Sequence, residues 1–227
     1  MLIGIDASRA NEEKKTGVGW YAYHVIQELK HLTTQTLDHS TTSQSLRVVL
    51  YTNKPLRGEL AKLPENWEEK VLHWFPGRLW TQFRMSWEML WQPPDVLFIP
   101  AHVFPIIHPK KTVMTLHDIA AVKFPEAYNW FEKWYTLWSG RVALKKLWKI
   151  IVPSKFTKNE LISLQVNKFA SSKIKVVHHG YNEEYRKIST QGGPVSGWED
   201  DVKIENVLKK YNVSKPYLLS IGRLEEK

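Results

Sequence analysis

Three short segments pair residue types that can do chemistry with the spacing of a strand end running into a helix. The first is Thr16-Gly17-Val18-Gly19-Trp20. Glycines let backbone amides come close to a ligand, and a helix N-terminus adds unpaired N–H groups that favour an anion. Each such charge–dipole contact is worth about 0.3–1 kcal/mol. The same two glycines also read as a plain tight turn, because the full dinucleotide fingerprint, GxGxxG with a following acid, is absent. The second segment, Thr115-Leu116-His117-Asp118, closes a predicted strand. A histidine there points into a cleft and can donate to a ligand hydroxyl, while Asp118 accepts a hydrogen bond or orients a loop. On spacing alone a His-Asp pair capping the following segment is the favoured reading. In the third, Val152–Leu161, Ser154 or Thr157 caps a helix, and Glu160 stands where it would complete a capping box with Thr157.

Those segments need elements to hold them. Apolar, β-branched runs predict strands over Leu2–Ala7, Leu46–Thr52, Asp95–Ile99, Lys111–His117, Trp148–Val152 and Lys173–His178, with a weaker one over Lys70–Trp74. Helical spacing runs over Gly17–Leu32, with Tyr21, Val25, Leu29 and Leu32 along one face. It recurs over Leu79–Trp91, with Phe83, Trp87, Leu90 and Trp91 on one side, and over Ala127–Leu147 and Lys155–Leu164. Residues 33–45 are polar and turn-rich and read as a loop. The alternation predicts an α/β fold, a Rossmann-like parallel sheet with helices on both faces. Val96–Ile99 and Ile150–Val152 are apolar throughout, as strands buried on both sides require. Such sheets bind ligands outside the carboxyl ends of their strands, where the first two segments fall.

The 227 residues allow one large domain, or a domain with part of another. After Gly180 the pattern weakens: 189–201 reads as an exposed linker, Val202–Tyr211 as a short helix and Pro216–Ile221 as a new strand. There is no cysteine, which excludes disulfides, thiolate metal sites and a cysteine nucleophile. The N-terminus lacks the basic and apolar stretches of a signal peptide. No run reaches the ~18 apolar residues that span a bilayer. A cytoplasmic location, at most attached to a membrane surface, is therefore expected. An excess of 32 Lys+Arg over 23 Asp+Glu, a net +9, concentrates phosphates, acidic headgroups or nucleic acid nearby. No RNP-like strand, zinc spacing or basic helix supports nucleic-acid binding.

In order and spacing, a set of segments resembles glycosyltransferase family 4: IGID (3–6) with Arg9, TGVGWYAYHVIQEL (16–29), DVLFIPAH (95–102), TLHD (115–118), VPSKFTKNEL (152–161), KIKVVHHGYN (173–182) and YLLSIGRLEEK (217–227). The resemblance implies the N-terminal, acceptor-side half of a GT-B fold over 1–188. A linker with a short helix follows over 189–215, and the first strand of a donor-binding domain over 216–227. The implied activity is that of a retaining, hexosyltransferase-type enzyme. It would carry sugar from a nucleotide-diphosphate sugar to a glycan or polyprenyl-linked acceptor, with no metal and no further cofactor. By the same resemblance His117 reaches the transferred sugar with Asp118 beside it, as the catalytic pair. Gly17, Val18, Gly19, Trp20 and Arg9 serve donor and acceptor binding. Arg223 holds the donor phosphates, which suits a guanidinium fork. Trp20 stands where the family often has arginine or another polar group, and Tyr181-Asn182 where it often has Val-Asp. The family's phosphate-binding lysine, paired glutamates and base contacts fall beyond Lys227, so the chain alone is expected to be catalytically incomplete. Residues 216–227 are expected to be poorly ordered or packed on the first domain, as an unpaired strand would be. The alternative is a non-catalytic module that binds a glycan or a partner carrying the other half.

The 11 tryptophans need their own account. On the predicted 127–147 helix, Trp130, Trp134, Trp138 and Val142 share a face with Phe131 and Tyr135. A core-facing helix is the plainer explanation. The alternative is an interfacial element, with Arg141 and Lys145 in the stripe, giving salt-sensitive contact with anionic lipid.

Overall fold

The structure is a computed structural model that describes residues 1–37, 46–75, 79–118, 142–163, 168–180 and 205–214. The chain divides into two compact units, Met1–His179 and Gly180–Lys227. In the first, the strands are β1 (Leu2–Asp6), β2 (Arg47–Thr52), β3 (Trp67–Val71), β4 (Val96–Ile99), β5 (Thr112–Thr115), β6 (Lys149–Val152) and β7 (Ile174–Val176). All pair in parallel, in the order β3-β2-β1-β4-β5-β6-β7. Ile5 of β1 lies opposite Leu50 of β2 and Phe98 of β4. The chain winds from β1 to one edge, returns, and winds to the other, so strand order reverses between β1 and β4. This is the α/β, Rossmann-like parallel sheet that the alternation predicts.

Alternate residues of β2 serve two cores, because side chains along a strand point to opposite faces. Val48 and Leu50 join Ile5, Leu60 and Trp67 under Ala22 and Ile26 of α1 (Gly17–Leu37). Val49 and Tyr51 join Leu97, Ile99, Met114 and Ile150 on the other face. That face is covered by Trp80, by Met85 and Met89 around α2 (Ser86–Trp91), and by Leu161 of α3 (Lys155–Ser163). A Cβ on Gly4 would lie 2.6 Å from Cε2 of Tyr51 and 2.8 Å from Cγ of Pro94, so only glycine lets these rings close over β1.

The structure departs from the sequence-based expectations in five places. Helix α1 continues to Leu37, into the stretch expected as loop. The Thr33 and Thr34 hydroxyls donate to the carbonyls of Leu29 and Lys30, so polar side chains are absorbed by the helix itself. The buried stripe of α1 is Ala22, Ile26 and Lys30, whereas Leu32 is exposed. Lys30 stays on that side because its ammonium donates to the carbonyls of Glu59, Leu60 and Lys62, at 2.9, 2.9 and 3.0 Å. The third strand is Trp67–Val71, three residues earlier than expected at its start; its place at the sheet edge leaves Glu68 and Glu69 exposed, which hides it from hydrophobic patterning. Over 79–91 a π-helical turn (Thr81–Met85) precedes α2, and Phe83, Trp87, Leu90 and Trp91 face solvent. Finally, Ser154 caps α3, its hydroxyl accepting the Thr157 N–H at 3.0 Å, so Thr157 lies inside the helix rather than at its cap, and Glu160 a turn further in.

In the second unit a helix covers residues 205–210, within the expected 202–211. Asn212 ends it at φ +51°, with Val213 N–H bonded to Leu208 O at 2.9 Å and Asn212 N–H to Lys209 O at 3.2 Å. That is a Schellman close with asparagine in the left-handed position. Tyr181, Asn182, Arg223 and the expected 216–221 strand lie outside the described residues, as does the 188 boundary. So does the aromatic stripe over 127–141; residues 142–146 are helical, with Ala143 and Leu144 in the core.

Candidate functional site

A polar cleft of about 1180 Å³ opens where the strand order reverses, at the carboxyl ends of β1, β2 and β4. Asp6, Ser8 and Arg9 line it after β1, Asn53 and Lys54 after β2, and Ala101 after β4. Asn11 fixes one wall. Its amide donates to the carbonyls of Lys54 and Pro55, at 3.1 and 3.0 Å, and its oxygen accepts the Arg57 N–H at 3.1 Å. Leu79 opens the opposite wall at φ +59°, a left-handed conformation that a leucine adopts only under tertiary constraint.

Asp6 is buried at the floor, its carboxylate accepting the Ser8 N–H at 2.9 Å. Burial raises its pKa, opposed by the Ser8 hydrogen bonds and the Arg9 guanidinium. Arg9 forms an exposed ion pair with Glu12 at 2.7 Å.

The glycine segment sits beside this turn. The first helical bond of α1 runs from Trp20 N–H to Thr16 O at 2.9 Å, so the N–H groups of Gly17, Val18 and Gly19 precede the ladder. The two glycines play different parts. A Cβ on Gly17 would meet open space, whereas one on Gly19 would lie 2.9 Å from Arg9 O and 3.2 Å from the Lys15 Cβ. Gly19 therefore lets the β1 turn pack on the helix, whereas Gly17 borders open space. Val18 packs against the core. Trp20 is exposed, stacked 5.8 Å from His24 and edge-on to Tyr23 at 5.7 Å, with the Lys15 ammonium 5.3 Å from the Trp20 ring. It is not among the cleft-lining residues.

His117 follows β5 and meets residues from three other elements. Its Nε2 donates to Pro100 O at 3.1 Å. Its ring lies edge-on to Tyr21 at 4.7 Å and 5.4 Å from His179. Tyr21 shares a hydrogen bond with Thr115 Oγ1 at 3.2 Å and packs 4.7 Å from His179. Burial lowers the His117 pKa below 6.5, and repulsion from His179 and His102 adds to it, against the Pro100 carbonyl and Asp118. His102 is lowered by desolvation and by Arg9, against Asp118, and His179 by desolvation. In all three the environment thus favours the neutral imidazole. In the neutral ring of His117 the one N–H is the one given to Pro100, which leaves Nδ1 an acceptor.

Tyr21, His102, His179 and Asn11 did not emerge as site residues from sequence. The signal was present for two of them, since a histidine follows each of β4, β5 and β7, in PAH, TLH and VHH. Tyr21 and Asn11 carry no such mark. Among the described residues, no three His, Asp or Glu side chains are grouped as metal ligands. No described helix is long and apolar enough to cross a membrane.

A doubly wound parallel sheet with a polar cleft at its reversal point and a histidine turn beside it is a Rossmann-like α/β domain. The chain belongs to Glycosyltransferase Family 4, whose sequence profile matches residues 16–185. Among solved structures it is similar to Alr3699/HepE of Anabaena in complex with UDP and glucose, at 14% identity and a TM-score of 0.51, over 91% of this chain and 50% of that one. The same protein in complex with UDP-glucose matches at 13% identity and 0.51, over 93% and 49%. The chain thus spans about half the length of HepE. Comparison with the curated proteins finds no match.

Proposed function

We propose that this chain is the acceptor-side half of a retaining glycosyltransferase. The reaction is transfer of a hexosyl unit from a nucleotide-diphosphate sugar to a glycan or polyprenyl-linked acceptor in polysaccharide synthesis. The observation that carries this reading is the cleft at the β1/β4 reversal, with His117 bonded to Pro100 next to the cleft-lining Ala101, within a chain of this family. UDP-glucose is the first donor to try, because the HepE structure is a complex with it. His117 accepts a donor-sugar hydroxyl through Nδ1, Asp118 steadies the turn, and Gly17 leaves the backbone open to an oxygen-rich ligand. Arg9, which lines the cleft, serves donor or acceptor binding. Arg223 holds the diphosphate, so that cationic side chains rather than a metal meet its charge. The protein works in the cytoplasm, in contact with the inner face of the membrane.

The test is an NMR titration of the chain with short glycans, polyprenyl-phosphate sugars and nucleotide-sugars. Acceptor-type ligands are expected to shift resonances of Gly17, His117 and the cleft, with no turnover of donor by these 227 residues alone. Turnover by the chain on its own, or ligands that leave His117 unmoved, would overturn the reading.

A further inference from the structure

The segment that walls the cleft through Leu79–Gln82 carries a second surface on its outer side. Phe83, Trp87, Leu90 and Trp91 are 50, 60, 54 and 68% exposed, and Phe83 stacks on Trp74 with ring centroids 6.4 Å apart. Trp87 and Trp91 lie 6.0 Å apart on one side of α2. Scattered apolar side chains on a surface need no explanation, but a contiguous aromatic group marks an interaction site.

We propose that this face docks on an anionic lipid bilayer. Between Val71 and Asp95 the only carboxylate is Glu88, which is buried. It holds Lys70 at 2.5 Å and Arg84 at 3.2 Å, leaving that cluster one positive charge in excess. The aromatic face thus adjoins a cluster with one net positive charge, with no exposed acid between Val71 and Asp95. Tryptophan combines a large apolar body with one N–H, the pattern suited to a headgroup boundary. The net charge of +9 attracts an acidic membrane and repels a second copy of the chain. The inference rests on the membrane contact proposed above and gives it a place. A lipid-linked acceptor would then enter the cleft from the surface on which the wall segment lies.

The test is co-sedimentation of the full chain with phosphatidylcholine vesicles, with and without phosphatidylglycerol. Binding is read without turnover, so its failure is distinguishable from failure of the transferase reading. Binding to the anionic vesicles at low salt is expected, with a blue shift of tryptophan emission, and little binding to phosphatidylcholine alone. The double variant Trp87→Ser/Trp91→Ser should bind roughly tenfold more weakly, with an unchanged circular dichroism spectrum. Quenching of wild-type emission by brominated lipid reads the same contact should the variant misfold. The proposal falls if the wild type binds neither vesicle, if the variant binds as well, or if the face proves to close a dimer that the variant abolishes.

Discussion

Nε2 of His117 donates to the carbonyl oxygen of Pro100 at 3.1 Å, which joins the turn after β5 to the turn after β4. In a neutral ring the bond fixes the tautomer with the proton on Nε2 and leaves Nδ1 an acceptor. Tyr21, held by Thr115, supports the ring edge-on and so positions it from α1.

Because burial lowers the pKa of His117 below 6.5, the unfolded chain takes up its proton first as the medium is acidified. The contribution to stability is complete above 6.5 and is lost as pH falls through the lowered folded value. Thermal melts from neutral to mildly acidic pH should show a steeper fall in Tm for the wild type than for His117→Gln. NMR titration of the ring should give a pKa below that of a free imidazole. Parallel Tm profiles would remove the basis for this linkage.

The two glycines at the start of α1 should respond in opposite ways to alanine. Gly19→Ala places a methyl 2.9 Å from a backbone oxygen and should cost about 1–3 kcal/mol in urea unfolding. Gly17→Ala meets open space, so stability should hold or rise by about 0.4–1 kcal/mol. Its effect should instead appear as weaker ligand binding by calorimetry.

Lys30→Met removes one buried ammonium and strands three carbonyls in the 58–62 turn. A loss of about 1.5–3 kcal/mol is expected by chemical denaturation, the range for hydrogen bonds to a charged group. A variant as stable as the wild type would mean that water or another side chain takes over the carbonyls.

Glu88 and Tyr51 are linked through the core beneath the aromatic face. The Tyr51 hydroxyl is pushed up to about 12 from 10.0, by burial first and then by Glu88 and Glu68. Its contribution to stability is therefore present below pH 10.0 and lost as pH rises toward about 12. In Glu88→Gln the alkaline ultraviolet titration of Tyr51 should move down while staying above 10.0, because burial remains. The same change leaves Lys70 and Arg84 without their carboxylate and should cost about 1–3 kcal/mol.

By itself the sequence determined the β–α alternation, the apolar central strands β4 and β6, the glycines at the start of α1 and the histidine after β5. These are local signals, since periodicity and turn chemistry act over a few residues. Tertiary structure decided what depends on distant contacts. The Tyr21–Thr115 hydrogen bond joins residues 94 apart, and the Asn11 bonds that build the cleft wall span more than 40. Periodicity grouped Phe83, Trp87, Leu90 and Trp91, but only packing of Trp80, Met85 and Met89 against the sheet turned that group outward. A lysine reads as a surface residue until three carbonyls converge on it, as they do on Lys30. The lowered pKa of His117 and its bond to Pro100 likewise depend on burial and on a turn 17 residues away, which spacing alone does not reveal.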